Sequence, residues 1–175
     1  MPNNHVFNYP LHDPLGSAEP SYTAAQSGDY YVITTGNQSV IQANGFLALQ
    51  LTVPANSRKT IRFDNIRASS SSDTILSLYR NATLNVSGTS ATPRNANWAY
   101  PDASVVTGSW VSQNANPTSG GVLFQVVHQL GGAVDVDLNG ERVIPPMTTN
   151  QTYYILLENS VANTQLSINI SWWEV

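Results

Sequence analysis

The chain has 175 residues, of which only 10% are Asp, Glu, Lys or Arg, and it carries a net charge of −4 with no cysteine. That excludes disulfides, thiolate metal sites and a cysteine nucleophile, and it removes the basic footprint of a nucleic-acid binder. No apolar run reaches the 18 or so residues of a membrane-spanning helix, and a chain this long buries about two-thirds of its unfolded surface as one domain.

With Lys59 the sole lysine, the polar surface has to be Ser, Thr, Asn and Gln. Uncharged skins repel neighbouring copies weakly, so contact with copies of the same chain or with another surface is favoured.

Residues 1–22 hold Pro2, Pro10, Pro14 and Pro20 with Val6, Phe7, Tyr9, Leu11 and Leu15 among them. Proline fixes φ and removes donors, so this segment reads as an extended arm, neither helix nor central strand. Its apolar residues set it apart from a plain disordered tail. At about 3.3 Å per residue it reaches roughly 60 Å, enough to pair with a neighbouring subunit, and the alternative is an arm folded along its own domain. The segment has neither a basic start nor an apolar core of secretory type; export, if any, is then expected by lysis or by assembly in a mother compartment.

The body is expected over residues 23–175. Asp29 to Thr34 is the first strand, bounded by Gly28 and Gly36. Gly45 to Val53 alternates and stops at Pro54. Arg58 to Ala68 sets Thr60, Arg62 and Asp64 opposite Ile61, Phe63 and Asn65. Thr74 to Asn81 and Thr83 to Val86 read as a strand or strand pair. Residues 87–121 dissolve into Gly, Ser, Thr, Asn and Pro, interrupted by Trp98, Tyr100 and Trp110, with one short strand expected near Ala103 to Val111.

Val122 to Leu130 predicts a well-buried strand. Ala133 to Ile144 predicts a hairpin turning at Asn139-Gly140, because a two-residue type I′ turn needs φ > 0 at both positions. That register faces Asp137 with Arg142 as an outward ion pair and puts Val134, Val136, Leu138 and Val143 inside. Thr152 to Glu158 is the penultimate strand. In Thr164 to Trp173, Leu166, Ile168, Ile170 and Trp172 alternate with Gln165, Ser167, Asn169 and Ser171, the period of a central strand.

Eight or nine strands without a helix predict an all-β, antiparallel two-sheet β-sandwich of jelly-roll type with an extended N-terminal arm. An immunoglobulin-like sandwich is the runner-up, unsupported by any cysteine pair.

Catalytic groups are sparse. His5 and His12 lie in the arm and His128 on a strand, with no paired-histidine metal motif, and neither a nucleophile elbow nor a P-loop is present. Asp135 and Asp137 share a face about 7 Å apart. That spacing suits a calcium site with Glu141 or a carboxylate pair, but alternating acids beside an Asn-Gly turn describe a solvated hairpin face better. The reading is therefore a non-catalytic protein with no metal and no cofactor.

Trp98, Tyr100 and Trp110, with Trp172 and Trp173, are candidates for a platform that stacks sugar rings, although aromatics near loops serve core packing first and protein contacts second. If the final alternation holds, Trp173 faces away from Trp172 and is the aromatic to expect at a subunit interface, together with Val6, Phe7, Tyr9 and Leu11 of the arm.

In Gly28 to Val32 (GDYYV), Ala91-Thr92-Pro93 and the run Val143-Ile144-Pro145-Pro146-Met147-Thr148-Thr149, the chain resembles small jelly-roll proteins of spore-forming bacteria, among them exosporium and endospore-appendage subunits. The tail from Ile144 to Glu174 is also similar to jelly-roll decoration and fibre proteins of tailed phages. The first resemblance implies a fibre subunit on the extracellular spore surface, whose leader, Pro2 to Pro20, docks on the next copy. Without leader cysteines the linkage would be noncovalent. The second implies a virion-surface protein whose partner is a capsid or a surface glycan.

Overall fold

The computed structural model describes residues 20–40 and 42–175. The described residues form one helix, α1 (Pro20–Ser27), followed by twelve strands: β1 (Tyr30–Thr34), β2 (Gln38–Val40), β3 (Phe46–Val53), β4 (Ile61–Ser70), β5 (Thr74–Leu84), β6 (Thr89–Ala91), β7 (Arg94–Asn95), β8 (Thr107–Gln113), β9 (Thr118–Gln129), β10 (Gly132–Ile144), β11 (Gln151–Asn159) and β12 (Thr164–Glu174).

The strands form two antiparallel sheets. One runs β10-β4-β12-β1-β7 with β2 added to β12, and the other runs β6-β8-β3-β11-β5-β9. Eight strands form nested antiparallel pairs, β1 with β12, β3 with β11, β4 with β10 and β5 with β9. First pairing with last, then inward, is what a long hairpin produces when it rolls into two facing sheets, so the expected jelly roll is the observed fold.

The core lies between the sheets. Leu47, Leu49, Leu51, Ile61, Phe63, Ile66, Leu76, Leu78, Ile155, Leu166, Ile168, Ile170 and Trp172 are all fully or almost fully buried. As its alternation requires, β12 is central, between β1 and β4. Each fully buried Leu, Ile or Phe contributes about 1.5–3 kcal/mol of transfer free energy. A second cluster, Phe46, Ala48, Ala82, Tyr154 and Leu156, fills the outer face of the second sheet. That is why β3 and β11 are buried on both faces.

Several expectations fail for identifiable reasons. Residues 20–22, placed in the arm, begin α1: Pro20 sits in the first turn, where its missing N–H costs nothing. The helix stops at Gly28, whose φ is +80°. The Gly28 N–H donates to Ala25 O and the Asp29 N–H to Ala24 O, the paired bonds of a Schellman cap.

Ala133 to Ile144 is not a hairpin. Both halves pair with the same strand, Gly132 to Asp137 with Ser70 to Asn65 and Arg142 to Ile144 with Phe63 to Ile61. Asn139 and Gly140 do adopt positive φ, 44° and 71°, but the excursion from Leu138 to Glu141 is a wide bulge opposite Asp64. Asp137 consequently does not meet Arg142; Asp135 instead pairs with Arg67 across the strands at 3.3 Å. Val143 is exposed, whereas Val134, Val136 and Leu138 are buried as expected.

The stretch from 87 to 121 also holds more order than its composition suggests: β6, β7, β8 and the start of β9 lie within it. A bulge after Phe63 moves the inward positions of β4 to Ile66 and Ala68, leaving Asn65 opposite Ser171.

Candidate functional site

The two flanks of the sandwich differ. On one, the outermost strands are β7 and β6, of two and three residues. There α1 packs beside β1 and β12, with Tyr22, Ala25 and Gln26 against Ala96, Asn97 and Trp98. On the other flank the outermost strands are β9 and β10, of twelve and thirteen residues. Natural sheets blunt long edges with charge, proline, bulges or brevity. β10 follows that rule, with Asp135, Asp137, Glu141 and Arg142 and its wide bulge.

β9 does not. Its sequence, TSGGVLFQVVHQ, holds no proline, lysine, arginine or acid. Val122, Leu123, Phe124 and Val126 are exposed along it, and Leu130 just beyond it is 84% exposed. The strand expected to be well buried is therefore a long apolar edge. Hydropathy alone does not separate the two, because a buried strand and an uncovered one spell alike.

The two edge strands flank a groove of about 600 Å³. Phe63 and Tyr153 line it, with Val122 and Phe124 from β9, Val143 and Ile144 from β10, and Pro145 and Met147 from the following loop; Arg80, Glu141 and Arg142 supply charge. Where β9 slips register against β5, Leu78 faces Gln125 and Tyr79 faces Leu123, so Phe124 is the extra residue of a bulge. Its ring lies 5.8 Å from that of Tyr153, which stacks on Phe63 at 4.3 Å. The Arg142 guanidinium lies 5.7 Å from the Phe124 ring centroid, a cation–π contact. The Tyr153 hydroxyl is buried without a hydrogen-bond partner among the described residues, and burial raises its pKa.

Residues expected to act together do not. Trp98 is 96% exposed beside α1. Tyr100 packs its ring over Gly28, so closely that a Cβ there would lie 2.3 Å from the Tyr100 Cγ. Trp110, on β8, instead packs against the core. The three share no stacking platform.

Trp173 is 5% exposed and not a surface aromatic. The bulge of β10 folds over it, and a Cβ on Gly140 would fall 2.4 Å from its ring. Val6, Phe7, Tyr9 and Leu11 lie outside the described residues.

His128 Nε2 is 2.7 Å from Asp73 Oδ1, an ion pair when the imidazole is protonated. Among the described residues no group of three or more His, Asp or Glu side chains converges as metal ligands would, and no helix is long and apolar enough to cross a membrane.

Sequence reasoning missed Glu174. It is buried and accepts hydrogen bonds from Ser104 Oγ at 2.5 Å, the Val105 N–H at 3.2 Å and Trp172 Nε1 at 3.3 Å, pinning the 101–106 loop to β12. A strand-terminal acid reads as solvated, and nothing local announces its two partners in the loop about seventy residues away.

No family model matches the chain, and no curated protein matches it.

Proposed function

We propose that this chain is a structural, non-catalytic subunit that assembles with copies of itself, the proline-rich segment ahead of α1 docking on a neighbour to build an extracellular fibre or spore-surface appendage. The observation that carries the reading is β9: twelve residues of uncharged edge with its apolar side chains uncovered. A strand of this kind left bare is an aggregation hazard, so a protein that keeps it has a use for it.

Two further features support the reading. The low charge of the whole chain lets copies approach closely. The helix that follows the segment packs by β1, β12 and residues 96–98 just beyond β7, whereas β9 is the edge strand at the other end of its own sheet. Contact between two different surfaces is heterologous and propagates head to tail, giving a filament or a ring. The fibre and spore setting comes from the resemblance of the body to spore jelly-roll proteins, and a virion surface is the alternative setting for the same assembly.

Deletion of residues 1–19, which leaves the helix and its cap intact, tests the proposal. The shortened chain is expected to stay folded by circular dichroism and to sediment as a monomer, while the full chain forms larger species. Assembly by the shortened chain equal to that of the full chain overturns the role of the segment.

A further inference from the structure

Four observations on the groove beside β9 stand together: an edge that no described strand covers, an apolar lining rich in aromatics, two arginines at its rim, and a buried tyrosine hydroxyl without a partner among the described residues. Each asks for an occupant. An extended peptide supplies main-chain hydrogen bonds along the edge and side chains for the groove, which is recognition by strand addition.

We propose that the groove between β9 and β10 is the acceptor for residues 6–11 of a second copy, Val6-Phe7-Asn8-Tyr9-Pro10-Leu11, which add to β9 as a further strand and seat Phe7 and Tyr9 against Phe124, Val143 and Met147. This rests on the assembly reading above and names its contact surface.

The sequence of the segment fits the edge. In an antiparallel strand the residues whose amides face one neighbour also share one face of the sheet. With Phe7, Tyr9 and Leu11 bonded to β9, their side chains all point to one side, and the missing N–H of Pro10 falls on the far edge. That is where proline is tolerated, and it blunts the newly formed edge against further addition. Asp13 and Glu19 give the segment acids to set against Arg80 and Arg142.

Reach favours a second copy over the chain's own groove. The nine residues from Leu11 to Pro20 span at most about 30 Å. The way round the body from α1 crosses about three strand spacings of roughly 4.8 Å and the separation of about 10 Å between sheets, besides the side chains on the outer face. That path is roughly 24 Å before the outer-face side chains are cleared, so docking on the same chain needs these nine residues drawn nearly straight. A neighbour needs only to lie alongside.

Complementation between full-length variants tests the proposal independently of register. Phe7→Asp with Tyr9→Asp removes the donor and leaves the groove; Phe124→Asp removes the groove and leaves the donor. Each variant alone is expected to be monomeric, its association weakened roughly 30-fold or more, as for loss of a central aromatic anchor. Mixed, they are expected to form a 1:1 heterodimer and stop, because one intact donor and one intact acceptor remain. Circular dichroism and the thermal midpoint check the fold of each, and Val122→Asp, at a more exposed position, serves as acceptor variant should Phe124→Asp unfold. If the acceptor variants assemble like the full chain, the groove is not the site, although the assembly reading survives. If the mixture stays monomeric while the unmodified chain assembles, docking of this segment in this groove is overturned. A monomeric unmodified chain overturns both readings.

Discussion

At the scale of single residues, burial of hydroxyl and carboxylate groups links the fold to pH. Tyr30 donates to Asp64 Oδ2 at 2.6 Å, and burial followed by that bond pushes its pKa from 10.0 to about 12. Tyr154, fully buried on the outer face of the second sheet, is pushed from 10.0 to about 12, chiefly by burial. A pKa raised by folding means that the folded chain resists losing the proton. The stability tied to it is whole below the unfolded value near 10 and drains as pH rises towards 12. The urea midpoint is therefore expected to be flat up to pH 10 and to fall between pH 10 and 12, and Tyr154→Phe should shrink that fall. Legibility at this scale is uneven: the alternation of β12 announced Trp172 as core, while the cover over Trp173 depends on a bulge more than thirty residues away that no local pattern encodes.

At the scale of elements, the Asn139-Gly140 pair shows how a correct local reading yields a wrong element. Positive φ at both residues is what the dipeptide signals, and it is observed. Whether the chain then turns back or swells into a bulge depends on the partner strand, and β4 extends past the turn to pair with both halves. The bulge is held from outside by Gly140, which combines a left-handed φ of +71° with direct contact on Trp173. Gly140→Ala is expected to destabilise the fold by about 1–2 kcal/mol from the backbone alone, with the clash added, read as a lowered urea midpoint. The helix was hidden for a similar reason. Pro20 belongs equally to an extended arm and to a first helical turn, and only the cap at Gly28 and Asp29, with the packing of Ala24, decides between them. In β9 the ambiguity is between core and uncovered edge, and only the sheet order resolves it.

At the scale of the whole molecule, the jelly roll was legible because strand period, turn residues and the want of helical patterns agree, and agreement across levels specifies a fold. The order of strands was not, because nested pairing joins residues as far apart as Tyr30 and Trp173. That order leaves the molecule two-sided. One flank is closed by short strands and α1, and the other carries a charged, bulged edge next to a bare apolar one. In the proposed assembly the segment ahead of α1 is the donor, and the β9 edge, which no other described strand covers, is the acceptor.

Amide hydrogen exchange along β9, compared between the full chain and the chain lacking residues 1–19, probes that arrangement most directly. The account predicts that the outward amides from Val122 to Gln129 are protected in the full chain at concentrations where it assembles, and exchange freely both on dilution and after the deletion. Equal exchange along β9 in the assembled full chain and the shortened one would contradict it.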